Sequence, residues 1–218
     1  MEIKLNCGNP WTKPNFSQIM KELWDKRYNT DQFVYGFSPN SFLKSELDKL
    51  EAGKILLPGE GEGRNAIYAA TKGWSVEAFD QSLVASEKAL AYAAEKSVSV
   101  NYQVSGLEEY SFKPEHFDAV GLIYIHVGPP GRILLHKQVC KALKPGGVII
   151  LEAFHVSQLG NSTGGPASLE MLFTEETLLS DFASLEVLEI SQARLELDEG
   201  PFHQGEAEVI RFVARKKQ

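Results

Sequence analysis

The sequence predicts a doubly wound α/β fold whose mostly parallel sheet is finished by an antiparallel hairpin. Three observations predict it. Short apolar runs alternate with helix-like segments from residue 54 to 154, as parallel strands do when both faces are covered and right-handed crossovers join them. Gly and Pro punctuate the alternation at intervals suited to strand–helix turns. Two long runs of period-two alternation follow, joined by a connection containing Gly and Pro, which is how a hairpin reads.

The elements follow in order. SQIMKELWDKRY (17–28) puts Ile19, Leu23 and Trp24 on one helical face, with Ser17 as N-cap. FVYGFSPNS is a loop, and NSFLKSELDKL is a second helix ended by Gly53. KILLP (54–58) is a short buried strand, followed by a glycine cluster and the helix-like RNAIYAATKG. SVEAF (75–79) is a second strand that closes on Asp80, and SLVASEKALAYAAEK (82–96) is a strong helix former. SVSVNYQV (97–104), FDAVGLIYI (117–125) and GVIILEAF (147–154) are further strands. RILLHKQVCKAL (132–143) is an amphipathic helix between the last two, stopped by Pro145 and Gly146. TEETLLSDF (174–182) is a helix capped by Thr174, with Glu175 and Glu176 in its first turn. LEVLEISQARLEL (185–197) and EAEVIRFVARK (206–216) form the hairpin, joined through DEGPFHQG. The strands total seven, a Rossmann-like sheet. The 218 residues suit a single domain, with a helical N-terminal cap over 1–50 and the core over 51–218.

Composition narrows the function. The formal charge is −7, and the one basic cluster is the tail Arg215, Lys216 and Lys217. A nucleic-acid partner calls for a basic stripe, so none is expected. No apolar run is long enough to span a bilayer, and MEIKLNCGNP lacks the apolar region of a secretory signal. A cytoplasmic chain with no membrane partner is expected. Cys7 and Cys140 make no C-x-x-C pair and no zinc spacing, so they read as free thiols, with no metal site. The absence of a long apolar surface pattern suits a monomer or weak homodimer.

The sharpest motif is LLPGEGEGRNA, with Gly59, Gly61 and Gly63 between a strand and a helix. Glycines there let the backbone turn tightly and approach a ligand. Asp80 lies about 20 residues on, at the end of the next strand, where a carboxylate accepts ribose hydroxyls. A dinucleotide site wants G-x-G-x-x-G/A, but position 64 is Arg64. Glu60 and Glu62 add two carboxylates to the turn. A pyrophosphate about 5 Å from one of them meets a repulsion of about 3 kcal/mol at an effective dielectric of 20. S-adenosylmethionine (SAM) has no phosphate and carries cationic sulfonium and ammonium groups, so this turn suits it and opposes NAD. A P-loop is excluded because no G-K-[ST] follows. The plainer alternative is that the glycines only end a strand and Asp80 only caps a helix.

With these residues the sequence resembles the class I SAM-dependent methyltransferases, and within them the tellurite-resistance (TehB-like) and thiol or thiopurine methyltransferase group. The resemblance rests on WDKRY, VYGFSPNSFL, ILLPGEGEGRNAIYAATKGWSVEAFDQS, LKPGGVIILEAF, NSTGGP and LDEGPFHQGEAEVIRFVARK, nearly the whole chain. It implies SAM as cofactor, held by Gly59, Glu60, Gly61, Glu62, Gly63, Asn65, Asp80, Gln81, Gly106, Leu107 and Ile123. There are two departures. The acid usual at the end of the first strand falls at Leu57 or Pro58, leaving the SAM amino group to Glu60 or to indirect contact. The acid found after the third strand is replaced by Gly106, leaving the adenine to the backbone of Gly106 and Leu107.

Methyl transfer from a sulfonium is an in-line displacement with a good leaving group, so alignment matters most. A base is needed only when the nucleophile arrives protonated. His126, at the end of the fourth strand, is the first candidate for base or orienter; the alternative is that it bonds the VGPPG turn. Tyr124 is a second catalytic candidate, although an aromatic in a strand is commonly core. Arg27, Tyr28, Tyr35, Glu152 and His155 are the candidate substrate contacts. Arg27 would take an anion and Glu152 a cation, unless both are merely solvated. In the resembling families an N-terminal segment like that of Trp24, Tyr28, Phe33, Tyr35 and Phe37 covers the cofactor, and aromatic rings there can shield a sulfonium. NSTGGP reads as a flexible lid. His203, in the hairpin connection, reads as structural. The expected function is methylation of a small molecule, a thiol or chalcogen oxyanion. The alternatives are an oxygen or nitrogen acceptor, or a SAM-binding protein without turnover.

Overall fold

A computed structural model describes residues 16–218. Its seven strands lie in the order β3-β2-β1-β4-β5-β7-β6. β1 (Lys54–Pro58), β2 (Ser75–Asp80), β3 (Asn101–Val104), β4 (Phe117–Ile123) and β5 (Leu143–Phe154) run parallel. β6 (Leu185–Asp198) and β7 (Gln204–Lys216) form the hairpin, and β7 pairs antiparallel with β5. The chain reverses direction across the sheet between β1 and β4, which is where open α/β sheets take ligands.

Helices cover both faces. Phe42, Leu43 and Leu47 of α2 (Ser41–Leu47), Ala66, Ile67 and Ala69 of α3 (Arg64–Thr71) and Ala93 of α4 (Leu83–Glu95) pack with Ile55, Leu57, Val76 and Ala78. On the other side, Leu135 and Val139 of α5 (Pro129–Ala142) and Leu178 and Phe182 at α6 (Glu175–Asp181) pack with Leu56, Val120, Ile149 and Phe212. The inner strands are mostly apolar because both faces are buried.

Several boundaries differ from the sequence reading. α1 (Phe16–Tyr28) contains Ser17 rather than starting after it. Trp24 is half-buried, but Ile19 and Leu23 are exposed, so the predicted apolar face is only partly used. α2 stops at Leu47, well before Gly53, and its N-cap is Asn40. α5 starts three residues earlier than expected, at Pro129, whose ring suits a first helical turn. β5 starts at Leu143 and runs through Pro145 and Gly146, with Gly146 at φ +81°. β4 ends at Ile123 because Tyr124 adopts φ +52°. Thr174 caps α6 as expected, its hydroxyl accepting from Thr177 N–H at 3.1 Å. Cys7 lies outside the described residues, and Cys140 is a free, half-buried thiol. Among the described residues, no helix is long and apolar enough to cross a membrane.

Candidate active site

The glycine turn joins β1 to α3 at the carboxyl edge of the sheet. Gly59, Gly61 and Gly63 have φ of +57°, +60° and +86°. That region costs an L-residue about 1–2 kcal/mol. Space is also scarce. A Cβ on Gly61 would lie 2.6 Å from Tyr28 Oη, and one on Gly63 would lie 2.7 Å from Ala89 Cβ. Gly61 is held from both sides: its N–H donates to Asp80 Oδ2 at 3.0 Å, and its carbonyl accepts from Tyr102 Oη at 2.6 Å. Asp80 also accepts from Ser82 N–H at 2.8 Å. Burial lifts the Asp80 carboxyl to about 6, despite hydrogen bonds from Ser82, Gly61 and Gln81 that pull it down.

The motif reads Glu60 and Glu62 as carboxylates open to a ligand in the turn, but both are buried and tied to the protein. Glu60 Oε1 accepts from the N–H groups of Asn65 (2.8 Å) and Ala66 (2.7 Å), so its side chain caps α3. Burial raises its carboxyl to about 7. Glu62 Oε2 accepts from Val34 N–H at 2.6 Å, and Oε1 meets the Lys88 ammonium. That contact is an ion pair, and Oε1 accepts no hydrogen bond from a described residue. Lys88 also donates to the carbonyls of Tyr28, Thr30 and Gln32 at 3.2, 3.0 and 2.8 Å. The two acids therefore serve as tie points for the helix and the N-terminal cap, and the net field in the turn is weaker than a count of carboxylates suggests.

A mostly apolar cavity lies beside Leu107, one of the expected adenine contacts. Leu107, Val127, Gly128, Pro130 and Leu134 line a cavity of about 270 Å³ beyond β4. Gly106 N–H lies 3.4 Å from Glu109 Oε2. Ile123 ends β4 and packs in the core, while Ile125 Cγ1 would touch a Cβ on Gly59 at 3.5 Å. Ile125, not Ile123, is the residue against the turn. The cradle that only glycine fits, the buried carboxylate of Asp80 and this apolar slot suit a cationic nucleoside without phosphate.

His126 is not placed to act as a base. Nδ1 bonds the carbonyl of Met171 at 2.8 Å, which makes it the protonated nitrogen, and Nε2 accepts from Phe154 N–H at 3.2 Å. It pins two backbone segments, neither of them the VGPPG turn. Burial depresses its pKa to about 4. Glu152 is likewise committed, and is buried rather than solvated. Its carboxylate accepts from Asn40 Nδ2 (2.5 Å), Tyr124 Oη (3.0 Å) and Arg211 Nε (2.7 Å). His155 caps the 3₁₀ turn Val156–Gln158, with Nδ1 2.9 Å from Ser157 Oγ. Asn65 bridges Glu60 to the backbone of Asn40, whose N–H donates to Asn65 Oδ1 at 2.9 Å.

The hairpin tip brings a second cluster to the same edge. His203 Nδ1 lies 3.2 Å from Glu199 Oε2, which also pairs with Arg64 at 3.0 Å. The His203 ring stands 4.7 Å from both the Tyr35 and Tyr124 rings. Arg27 donates to Tyr35 Oη at 3.1 Å and stacks on Trp24 and Phe202. Arg27 and Tyr35 thus meet beside His203, and Tyr28 packs edge-on to Tyr35 and over Gly61. The 161–166 loop is anchored: Thr163 Oγ1 donates to Glu206 O at 2.7 Å and accepts from Gln158 Nε2 at 2.8 Å. Sequence reading missed Glu199, Arg64, Lys88 and Tyr102; only the charged DEGPFHQG connection signalled the first.

Residues 55–147 match the model of a methyltransferase domain. The ubiquinone biosynthesis O-methyltransferase of Rickettsia akari (strain Hartford) is 32% identical over 120 residues, 54% of this chain and 45% of that protein. The match therefore spans under half the length of that relative. A structure from a study of the conversion of a disulfide bond into a thioacetal group during echinomycin biosynthesis superposes with a TM-score of 0.74 at 15% identity, covering 93% of this chain and 92% of the other. TehB from Haemophilus influenzae gives 0.69 at 17% identity, covering 90% and 67%.

Proposed function

We propose that this chain, whose residues 55–147 match a methyltransferase-domain model and whose fold is shared with TehB, is a class I SAM-dependent methyltransferase that methylates a small molecule at the sheet edge where the glycine turn meets the hairpin tip. The observation that carries the reading is the Gly61 peptide, clasped between Asp80 and Tyr102 at the end of β1.

When bound, SAM supplies an electrophilic methyl on a cationic sulfur. Asp80 accepts the ribose hydroxyls, and the positive-φ glycines let the turn approach the amino-acid end without a side chain between. The backbone of Gly106 and Leu107 orients the adenine against the apolar slot. Tyr28, on the outer side of Gly61, covers the turn and excludes water. Tyr35, Tyr124 and Phe202 flank the acceptor, which favours a flat or apolar body carrying the nucleophile. A thiol or chalcogen oxyanion is the first acceptor class. A hydroxyl is the second, favoured by the O-methyltransferase name of the curated relative. The described residues act as one domain, with residues 16–50 as its cap.

The test is release of S-adenosylhomocysteine from SAM in the presence of aryl and alkyl thiols, phenols, selenite and tellurite. Turnover of any of them supports the reading. Tight SAM binding with no release across the panel favours a binding protein without turnover.

A further inference from the structure

We infer that His203, oriented by Glu199, is the proton acceptor of the site, and that the acceptor substrate is a protic thiol or hydroxyl compound that arrives un-ionised. The inference rests on the methyltransferase reading and narrows it, because a chalcogen oxyanion needs no base.

The two histidines of the site differ in what is left of each ring. His126 has both nitrogens engaged by backbone. His203 has one. Glu199 is acceptor-only when ionised, so its contact at 3.2 Å makes Nδ1 the N–H donor. The lone pair is then on Nε2, which makes no hydrogen bond to any described residue. Gly164 packs against this edge of the ring. Gly164 has φ +125°, and a Cβ there would lie 2.8 Å from His203 Cδ2 and 3.2 Å from Nε2. The loop pinned by Thr163 therefore presents glycine where a side chain would seal the nitrogen.

Position agrees with the chemistry. Glu199 is tied to Arg64, the first residue of α3 after the glycine turn, and the His203 ring touches Tyr124, the first residue after β4. Tyr124 is held at φ +52°, a conformation uncommon for a bulky residue and frequent at functional sites. His203 thus stands between the turn and the end of β4, on the acceptor side.

The charged and titratable groups facing it are Glu199 on its own connection, Arg64 on α3, Arg27 on α1, Tyr35 in the cap, Tyr124 after β4, and His126. Burial lowers the His203 pKa, and the Arg64 and Arg27 charges lower it further against the pull of Glu199, so the ring is neutral near pH 7 with a proton still to accept. Burial raises the Glu199 carboxyl, but the bond to His203 and the Arg64 charge bring it below its ordinary value.

In the step, the acceptor X–H bond breaks and its proton goes to Nε2. The freed pair forms the bond to the methyl carbon. The carbon–sulfur bond breaks with its pair going to sulfur, leaving a neutral thioether. Glu199 balances the imidazolium until the proton leaves to water.

The test compares an arylthiol already ionised at neutral pH with an alkyl thiol and a phenol that arrive protonated, in wild type, His203→Gln and Glu199→Gln. General-base assistance is worth about 10²–10⁴-fold. His203→Gln is expected to slow the protonated acceptors at least 100-fold more than the ionised one, and to remove the acid limb of their pH–rate profile. Equal losses for both classes, or an unchanged acid limb, would overturn the inference. Should no acceptor on the panel turn over, NMR titration of ¹⁵N-histidine decides. A His203 with protonated Nδ1, whose pKa falls in Glu199→Gln, supports the assignment; protonation on Nε2 in the neutral ring rejects it. Calorimetry with SAM separates the two failures, because loss of SAM binding by wild type would undo the methyltransferase reading itself.

Discussion

The Asp80 carboxylate accepts the N–H of Gly61 at 3.0 Å, so the end of β2 fixes the turn that leaves β1. The same carboxylate is the candidate ribose ligand, and its two duties are coupled. Replacing Asp80 with Ala leaves the Gly61 N–H without its partner and removes the ribose acceptor. SAM affinity is expected to fall about 10- to 100-fold, or roughly 1–3 kcal/mol. Isothermal calorimetry checks this, and an unchanged affinity would deny Asp80 the ribose role.

Protonation should act on folding and binding in opposite senses. Burial lifts Asp80 to about 6 and Glu60 to about 7, above their ordinary 3.8 and 4.5. The folded state then holds more protons than the unfolded state at mildly acid pH, so these groups favour folding there and that contribution is lost as pH rises through about 6–7. A cationic ligand prefers the ionised acid. SAM affinity is therefore expected to rise about three- to fivefold between pH 5.5 and 7.5. A flat or falling profile in calorimetry would contradict an ionised Asp80 in the complex.

Gly61→Ala should damage the site where another positive-φ glycine is merely strained. At Gly61 the new methyl sits at φ +60° and 2.6 Å from Tyr28 Oη; at Gly146, φ is +81° but the space is open. Gly146→Ala is expected to cost about 1–2 kcal/mol in denaturant unfolding and to leave SAM affinity within twofold. Gly61→Ala should cost more than that and lose SAM binding at least tenfold. Equal effects on binding would show that the turn does not touch the ligand.

His126 should behave as a structural pin. Its pKa of about 4 lies below the ordinary 6.5, so the unfolded chain binds a proton that the folded chain resists. Its stabilisation is present above pH 6.5 and is lost as pH falls toward 4. His126→Asn is expected to lower stability by about 1–3 kcal/mol at pH 7.5, with the gap from wild type shrinking below pH 6. A pH-independent gap in urea titrations would argue against a buried neutral ring.

Arg211 and Glu152 give the test of the buried network. Glu152 is 1% exposed and, among the described residues, has Arg211 as its only cation. Arg211→Met should cost about 3–5 kcal/mol, because a buried charge is left unpaired. The double variant with Glu152→Gln should recover part of that. A double variant as unstable as the sum of the singles would show that the pair is not coupled.

The strands and the glycine turn were legible because periodicity and glycine spacing are local signals. KILLP, SVEAF and the two alternating runs stand as β1, β2, β6 and β7. The direction of side chains was not legible. Glu60 and Glu62 look ligand-facing in a linear motif, yet Glu60 turns back onto the N–H groups of Asn65 and Ala66, and Glu62 reaches Val34 and Lys88. Those partners lie outside the motif or behind it. Which ring nitrogen of His126 and of His203 is engaged was hidden for a similar reason: it depends on Met171, Phe154 and Glu199. The first two lie more than 25 residues from His126, beyond the reach of any local pattern.

The most direct test of the central claim is calorimetric titration of the wild-type protein with SAM, with S-adenosylhomocysteine and with NAD. A turn of glycines clasped by Asp80, without a phosphate-binding pattern, should bind the two sulfur nucleosides with one site per chain and ignore NAD. Saturable NAD binding with no response to either sulfur nucleoside would contradict it.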